Sequence, residues 1–175
     1  MHPEFFGIVD ELLAFKGSEC PKVAIEVATN GFGKRVNDVL AKLGSRVVVD
    51  NSAKKSRVQY FQPFNLAPKD FVRYWFADYS HACWITSDSG MGLSPYGYYP
   101  CGVAAGIDRV FGFDIGRKSL PDLSDTMRDQ MEALCRYCGH FRPLRSMMID
   151  KDLMSKSWRE AYEKYKVSKP RITVY

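Results

Sequence analysis

The chain has 175 residues, and no apolar run approaches the ~18 residues that a membrane-spanning helix needs, which excludes such a helix. Its N-terminus lacks a basic stretch followed by an uninterrupted apolar one. Glu4, Asp10 and Glu11 break the segment early, so no signal peptide is expected and the chain reads as cytoplasmic. A block of like charge is also missing. Lys and Arg number 25 against 20 Asp and Glu, yet cations and acids alternate, and the densest basic run is only Lys54, Lys55 and Arg57. A nucleic-acid footprint would be clustered, so no nucleic-acid partner is expected, and no membrane partner either. There is no internal repeat and no low-complexity segment. Disorder is excluded by what is present, 46% hydrophobic and 14% aromatic residues, enough to bury a core.

Cysteine is the informative residue. Cys20, Cys83, Cys101, Cys135 and Cys138 form an odd set in a chain read as cytosolic, so a disulfide framework is the weaker reading. Cysteines in a reducing compartment are buried, catalytic or metal-bound.

Periodicity predicts a helix over 3–16, with Pro3 at its first position and Phe5, Ile8, Val9 and Leu12 as its apolar stripe. A strand over 23–30 leads into Gly31-Phe32-Gly33, then a helix over 34–43 and a strand over 46–50. Strand, helix and strand within this length form a βαβ crossover and imply parallel pairing. Two parallel strands cannot bury both faces alone, and an α/β architecture would place a strand before the first helix, so the sequence reads as if its beginning were missing. From 56 to 100 aromatics are dense and Pro63 and Pro68 break regularity. Helices are expected at 102–111, at 122–136 with Asp122 or Ser124 as cap and Leu123, Met127, Met131 and Leu134 inward, and at 152–166 with Trp158, Ala161, Tyr162 and Tyr165 buried and Glu160 and Lys164 outside.

Cys135 and Cys138 form a C-x-x-C followed by Gly139 at a helix end. Two thiolates so spaced can converge on one metal or cluster. A thioredoxin-like pair would sit at a helix N-terminus, where the dipole stabilises thiolate; this one sits at the opposite end. Cys83 and Cys101, with 17 residues between them, would complete four soft ligands. On donor type these suit Zn²⁺ and a [4Fe–4S] cluster equally, and the wide first pair shifts the balance toward iron–sulfur. Unligated burial is the plain alternative. Cys20 is expected to be a non-ligand, while His81 and His140 lie close enough in sequence to join a zinc site. Gly31-Phe32-Gly33-Lys34 fails the dinucleotide and Walker patterns and reads as a tight turn. Asp88, Asp108, Asp114 and Asp122 show no spacing that pairs them for acid–base work, and no residue is assigned a catalytic role.

Cys83, the run Gly97-Tyr98-Tyr99-Pro100-Cys101, and Cys135-x-x-Cys138-Gly139-His140-Phe141 resemble the auxiliary-cluster extension of radical SAM enzymes, the SPASM domain or its shorter Twitch form. Val27-Ala28-Thr29-Asn30-Gly31 resembles the T-N-G strand of the radical SAM barrel, and residues 1–6 resemble the segment just after the family's G-G-E-P motif. The resemblance implies an α/β fold: a partial radical SAM-type barrel over 1–78, a Cys-rich α+β segment over 79–145 binding one auxiliary [4Fe–4S] cluster through Cys83, Cys101, Cys135 and Cys138, and a C-terminal helix and tail over 146–175. It also implies a redox partner such as a flavodoxin or ferredoxin, and a peptide or protein substrate. Tyr98, Tyr99, Trp84 and Phe141 would exclude water from the cluster.

The chain departs from the family in what it lacks. Its cysteines are separated by 62, 17, 33 and 2 residues, so no C-x-x-x-C-x-x-C triad exists, and G-G-E-P is absent. The chain alone is therefore not expected to cleave S-adenosyl-L-methionine, which would belong only to a complete parent enzyme. No cysteine follows Cys138, so at most one cluster is expected. From a different class, the alternative is a non-catalytic four-cysteine zinc-binding interaction module.

Overall fold

The structure, a computed structural model, describes residues 2–54, 60–61, 64–81, 83–141, 147–148 and 153–174. Met1, Lys55, Arg57, Pro63 and Asp152, each part of an expectation above, lie outside them. The architecture is mixed α/β, with three two-stranded sheets and no barrel among the described residues. No described helix is long and apolar enough to cross a membrane. The chain divides into two units, 1–59 and 60–175. The segment 64–78, grouped with the barrel on sequence, belongs to the second unit: Lys69 N–H donates to the Arg136 carbonyl and Ala67 is buried in that unit's core.

The first unit is the expected crossover. Strand β1 (Glu26–Thr29) pairs in parallel with β2 (Val48–Asn51), from Glu26 opposite Val48 to Thr29 opposite Asn51, and helix α2 (Lys34–Leu43) joins them. The T-N-G turn between β1 and α2 is closed by its own side chains. Thr29 Oγ1 accepts the Gly31 N–H at 3.1 Å, Asn30 Oδ1 accepts the Phe32 N–H at 3.0 Å, and Asn37 Nδ2 donates to the Gly31 and Gly33 carbonyls. Gly31, at φ +60°, leaves no room for a Cβ, because the Asn51 amide packs against it.

Helix α1 (Phe5–Ser18) starts two residues later than the periodicity predicts, because Glu4 occupies the cap position. Its inward face is Phe5, Phe6, Val9 and Leu13, packed toward Leu43 and Val47; Ile8 and Leu12, expected inside, are 45% and 44% exposed. Two strands about 4.8 Å apart cannot cover a helix about 10 Å wide, so one flank stays bare. Alternation along the strands puts Val27 and Val49 inside and leaves Glu26, Ala28, Val48 and Asp50 exposed.

The second unit opens on β3 (Tyr60–Phe61), which pairs antiparallel with a strand at Met147–Met148. Short 3₁₀ turns at Pro68–Asp70, Val72–Tyr74 and Tyr79–His81 then precede helix α3 (Trp84–Ser89). Strands β4 (Gly92–Ser94) and β5 (Gly97–Tyr99) form a hairpin, and Tyr98 exchanges backbone hydrogen bonds with Arg117 on its free edge. Helix α4 (Gly102–Phe111) has the predicted bounds. Helix α5 (Arg128–Cys135) is shorter than the predicted 122–136. Asp122 and Asp125 spend their carboxylates on the Ser124 and Met127 N–H groups, and Met127 adopts a left-handed conformation (φ 51°) that stops the helix from extending backwards. Leu123, expected in the apolar stripe, is fully exposed, whereas Met127, Met131 and Leu134 are buried as expected.

Strand β6 (Met147–Met148) precedes α6 (Lys156–Val167). The N-terminus of α6 is capped from a distance: Asp70 accepts the Ser157 N–H at 2.8 Å and its hydroxyl at 2.6 Å. Trp158 is fully buried, edge-on to Phe111 and Phe64 with centroids 4.9 and 5.3 Å away. Glu160 and Lys164 are exposed as expected, but Glu160 is approached by Lys156 instead, at 3.9 Å.

Asp108 is a fully buried carboxylate. It accepts the Tyr99 hydroxyl at 2.7 Å and the N–H groups of Asp114 and Ile115 at 2.8 and 3.1 Å. Burial, reinforced by Asp108, drives the Tyr99 phenol far above its ordinary range, so it stays a donor. Asp108→Ala strands three donors and is expected to cost about 3 kcal/mol, Tyr99→Phe about 1 kcal/mol. Urea unfolding checks both; equal costs would mean that the backbone donors find other partners.

Candidate metal centre

Three segments deliver the four cysteines predicted as ligands. Cys83 and Cys101 stand in extended conformation immediately before α3 and α4. Cys135 ends α5, and a turn in which the Cys138 N–H bonds the Cys135 carbonyl brings Cys138 round. Gly139 is then held by the Phe64 carbonyl at 2.6 Å. All four cysteines line one cavity of about 20 Å³, whose other walls include Ile85, Val103, Ile107, Leu134 and Phe141. A space of that size holds about one water, so admitting a metal group requires the surrounding side chains to part. All five cysteines of the chain are free thiols, and Cys20 lies in the first unit.

Burial sets the electrostatics. It pushes the Cys135 and Cys138 thiols up to about 12 and raises Cys101 as well, and the neighbouring cysteines add to the effect. Backbone N–H groups oppose it, those of Ala104 and Val103 at Cys101 and those of His140 and Phe141 at Cys138. Thiols so raised are poor redox nucleophiles, since reactive cysteines have lowered pKa values. A cation that displaces their protons removes the penalty and gains four soft ligands. The donor set therefore fits a thiophilic metal group in kind and number. Among the described residues, no three His, Cys, Asp or Glu side chains are gathered tightly enough to hold a single metal ion.

The two histidines separate. His140 lines the cavity, its pKa lowered by burial, with its ring edge-on to Trp84 at 6.4 Å. His81 does not line it; it is exposed, with Nδ1 2.8 Å from Asp78. Of the expected water-excluding aromatics, Phe141 forms a wall and packs on Tyr79 at 4.8 Å, and Tyr99 is buried in the same core as Cys138. Trp84 is 56% exposed and shields little. The walls from α4, Val103 and Ile107, are apolar positions of the helix expected at 102–111, but their facing the cysteines is not legible in the sequence. Asp114, one of the unpaired carboxylates, bonds Lys118 and Thr173.

The approach to α5 is clamped by Arg117, which bonds Asp125 at 2.9 Å and Asp129 at 2.9 and 2.7 Å. Gln130 on the same helix is buried and donates to the Tyr98 and Ile115 carbonyls. Together these contacts fix the helix that ends in Cys135.

Comparison with protein-family models, with curated proteins and with solved structures finds no match. The likeness to radical SAM enzymes thus stands on the motifs alone.

The Arg117 clamp predicts a pH dependence. Its guanidinium holds the Asp125 and Asp129 carboxyls below the ordinary 3.8, so the stability they supply is present above that value and lost as pH falls through their lowered pKa values. Arg117→Gln removes this contribution at neutral pH. The unfolding midpoints of the native chain and the variant should therefore converge as pH falls below 3.8 and through the lowered pKa values. A gap that stays constant in urea titrations across that range would show that Arg117 acts through packing.

Proposed function

We propose that the chain carries one auxiliary [4Fe–4S] cluster on Cys83, Cys101, Cys135 and Cys138, and that it is the C-terminal part of a radical SAM enzyme. The observation that carries the reading is the lining of one apolar cavity by four thiols drawn from three segments of the chain. A zinc ion with Zn–S bonds of about 2.3 Å would draw its sulfurs to about 3.8 Å from one another. What favours the cluster over zinc is the wide spacing of the first pair, with 17 residues between Cys83 and Cys101. When bound, a fully cysteine-ligated cluster supplies electron transfer or structural support; the chain's own part is to bury the sulfurs and present N–H groups to Cys101 and Cys138.

On this reading, unit 1 contributes two βα repeats of a barrel. Support comes from its parallel pair, which packs helices on one face and leaves Glu26, Ala28, Val48 and Asp50 open on the other, with one edge of each strand unpaired among the described residues. Cleavage of S-adenosyl-L-methionine, a peptide or protein substrate, and reduction by a flavodoxin- or ferredoxin-like protein belong to the complete enzyme. The second reading is a four-cysteine zinc module that works by partner interaction, and the inward-lying His140 makes a mixed ligand set available to it.

Iron, sulfide and zinc analysis after anaerobic purification decides between them. The cluster reading expects about four irons and four sulfides per chain and a broad absorption near ~400 nm, both lost in Cys135→Ala/Cys138→Ala. One zinc without sulfide would replace it with the zinc module. Iron retained by the double variant, with its urea midpoint unchanged, would overturn the ligand assignment.

A further inference from the structure

Behind the C-x-x-C turn, Lys69, Val110, Phe111, Tyr137, Lys164 and Tyr165 bound a second cavity of about 240 Å³. Its charges are unbalanced. Lys69 donates to the Tyr137 hydroxyl at 3.1 Å and sits 4.6 Å over that ring, without a carboxylate partner. Arg109 donates to the Tyr165 hydroxyl at 3.0 Å, and Lys169 lies 5.8 Å over the same ring. Among the described residues, none of Lys69, Arg109, Lys164 and Lys169 forms an ion pair. The two nearby acids are already engaged: Glu160, which lines the cavity, is approached by Lys156, and Asp70 holds the N-terminus of α6.

Only Lys69 and Lys164 of these cations line the cavity, Arg109 and Lys169 lying against Tyr165 outside the lining; an anion placed between the two lysines relieves their repulsion. Apart from Ser157, whose hydroxyl is held by Asp70, and Glu160, the remaining walls are rings and aliphatic groups, which suit a flat apolar body. A cavity slightly below the usual range for ligand sites, which begins at about 300 Å³, fits one ring with one charged group.

We propose that this cavity binds a small aromatic anion, an aryl phosphate or aryl carboxylate, with the ring against Phe111 and Tyr137 and the charge between Lys69 and Lys164. The cavity shares no lining residue with the cysteine cavity. It has a built-in reporter, because Trp158 packs on Phe111 at 4.9 Å and bonds the Tyr137 carbonyl.

The test is calorimetric and fluorescence titration of the full chain with phenyl phosphate at low salt. Saturable one-to-one binding is expected, with inorganic phosphate and benzyl alcohol at least about tenfold weaker, since neither supplies both halves of the interaction. Phenylacetate in place of phenyl phosphate identifies the preferred anionic group, and tight binding of either supports the site. Lys164→Gln should weaken binding about tenfold, the worth of one charge-assisted hydrogen bond. Lys166→Gln should not, because Lys166 already pairs with Glu163 and lies outside the lining. Lys69→Gln repeats the test from the other wall. Equal affinity for inorganic phosphate, an unaffected Lys164→Gln, or no binding at millimolar ligand would each overturn the proposal.

Discussion

With its indole fully buried and its N–H bonded to the Tyr137 carbonyl at 2.7 Å, Trp158 joins the last helix to the turn between Cys135 and Cys138. Phe64, Phe111 and Tyr162 surround the ring, so α4, α6 and the segment before the first 3₁₀ turn meet on one side chain. Removing such a side chain from a packed core costs about 3–5 kcal/mol, a large part of the about 5–15 kcal/mol available to a whole domain. The turn that presents the two cysteines is therefore only as well defined as the helix packed behind it.

The cysteine cavity shows the same dependence in electrostatic form. Cys138 belongs to the main core, beside Ile107, Leu134 and Trp158, and burial is the largest influence on three of the four thiols. Protonated, they are ordinary small apolar side chains; deprotonated without a cation, they would be charges in a medium that cannot solvate them. This makes the site a poor place for thiol chemistry, and on the proposed reading a bound cation group would supply the missing charge. Low-dielectric walls and N–H groups aimed at sulfur are the features by which a protein adjusts such a group.

Helices α2 and α4 were legible in the sequence to the residue, because each joins an apolar period to a glycine stop at Gly44 or Gly112. The start of α5 was not. The residues that look like caps, Asp122 and Ser124, close a local turn of their own, and the competing bonds are invisible to periodicity. Ile8 and Leu12 read as core because a helical stripe says which residues share a face, not whether anything covers it. The four cysteines were picked out as a set from their spacing and flanking motifs, and all four line one cavity. Ile107 and Leu134 were legible as apolar helix positions but not as walls of that cavity, and the lysine-lined cavity was not legible at all, its two lysines being 95 residues apart in the numbering.

The cap on α6 has a consequence for the order of assembly. Its acceptor, Asp70, lies 87 residues before Ser157. A helix normally recruits its first hydrogen-bond partner from its own sequence; this one must wait until a loop of that length has closed, which is entropically slower than any local step. During synthesis the segment carrying Cys83, Cys101, Cys135 and Cys138 leaves the ribosome before α6 exists. The sulfurs thus pass through an interval in which Trp158 is not yet packed behind the turn that carries Cys135 and Cys138.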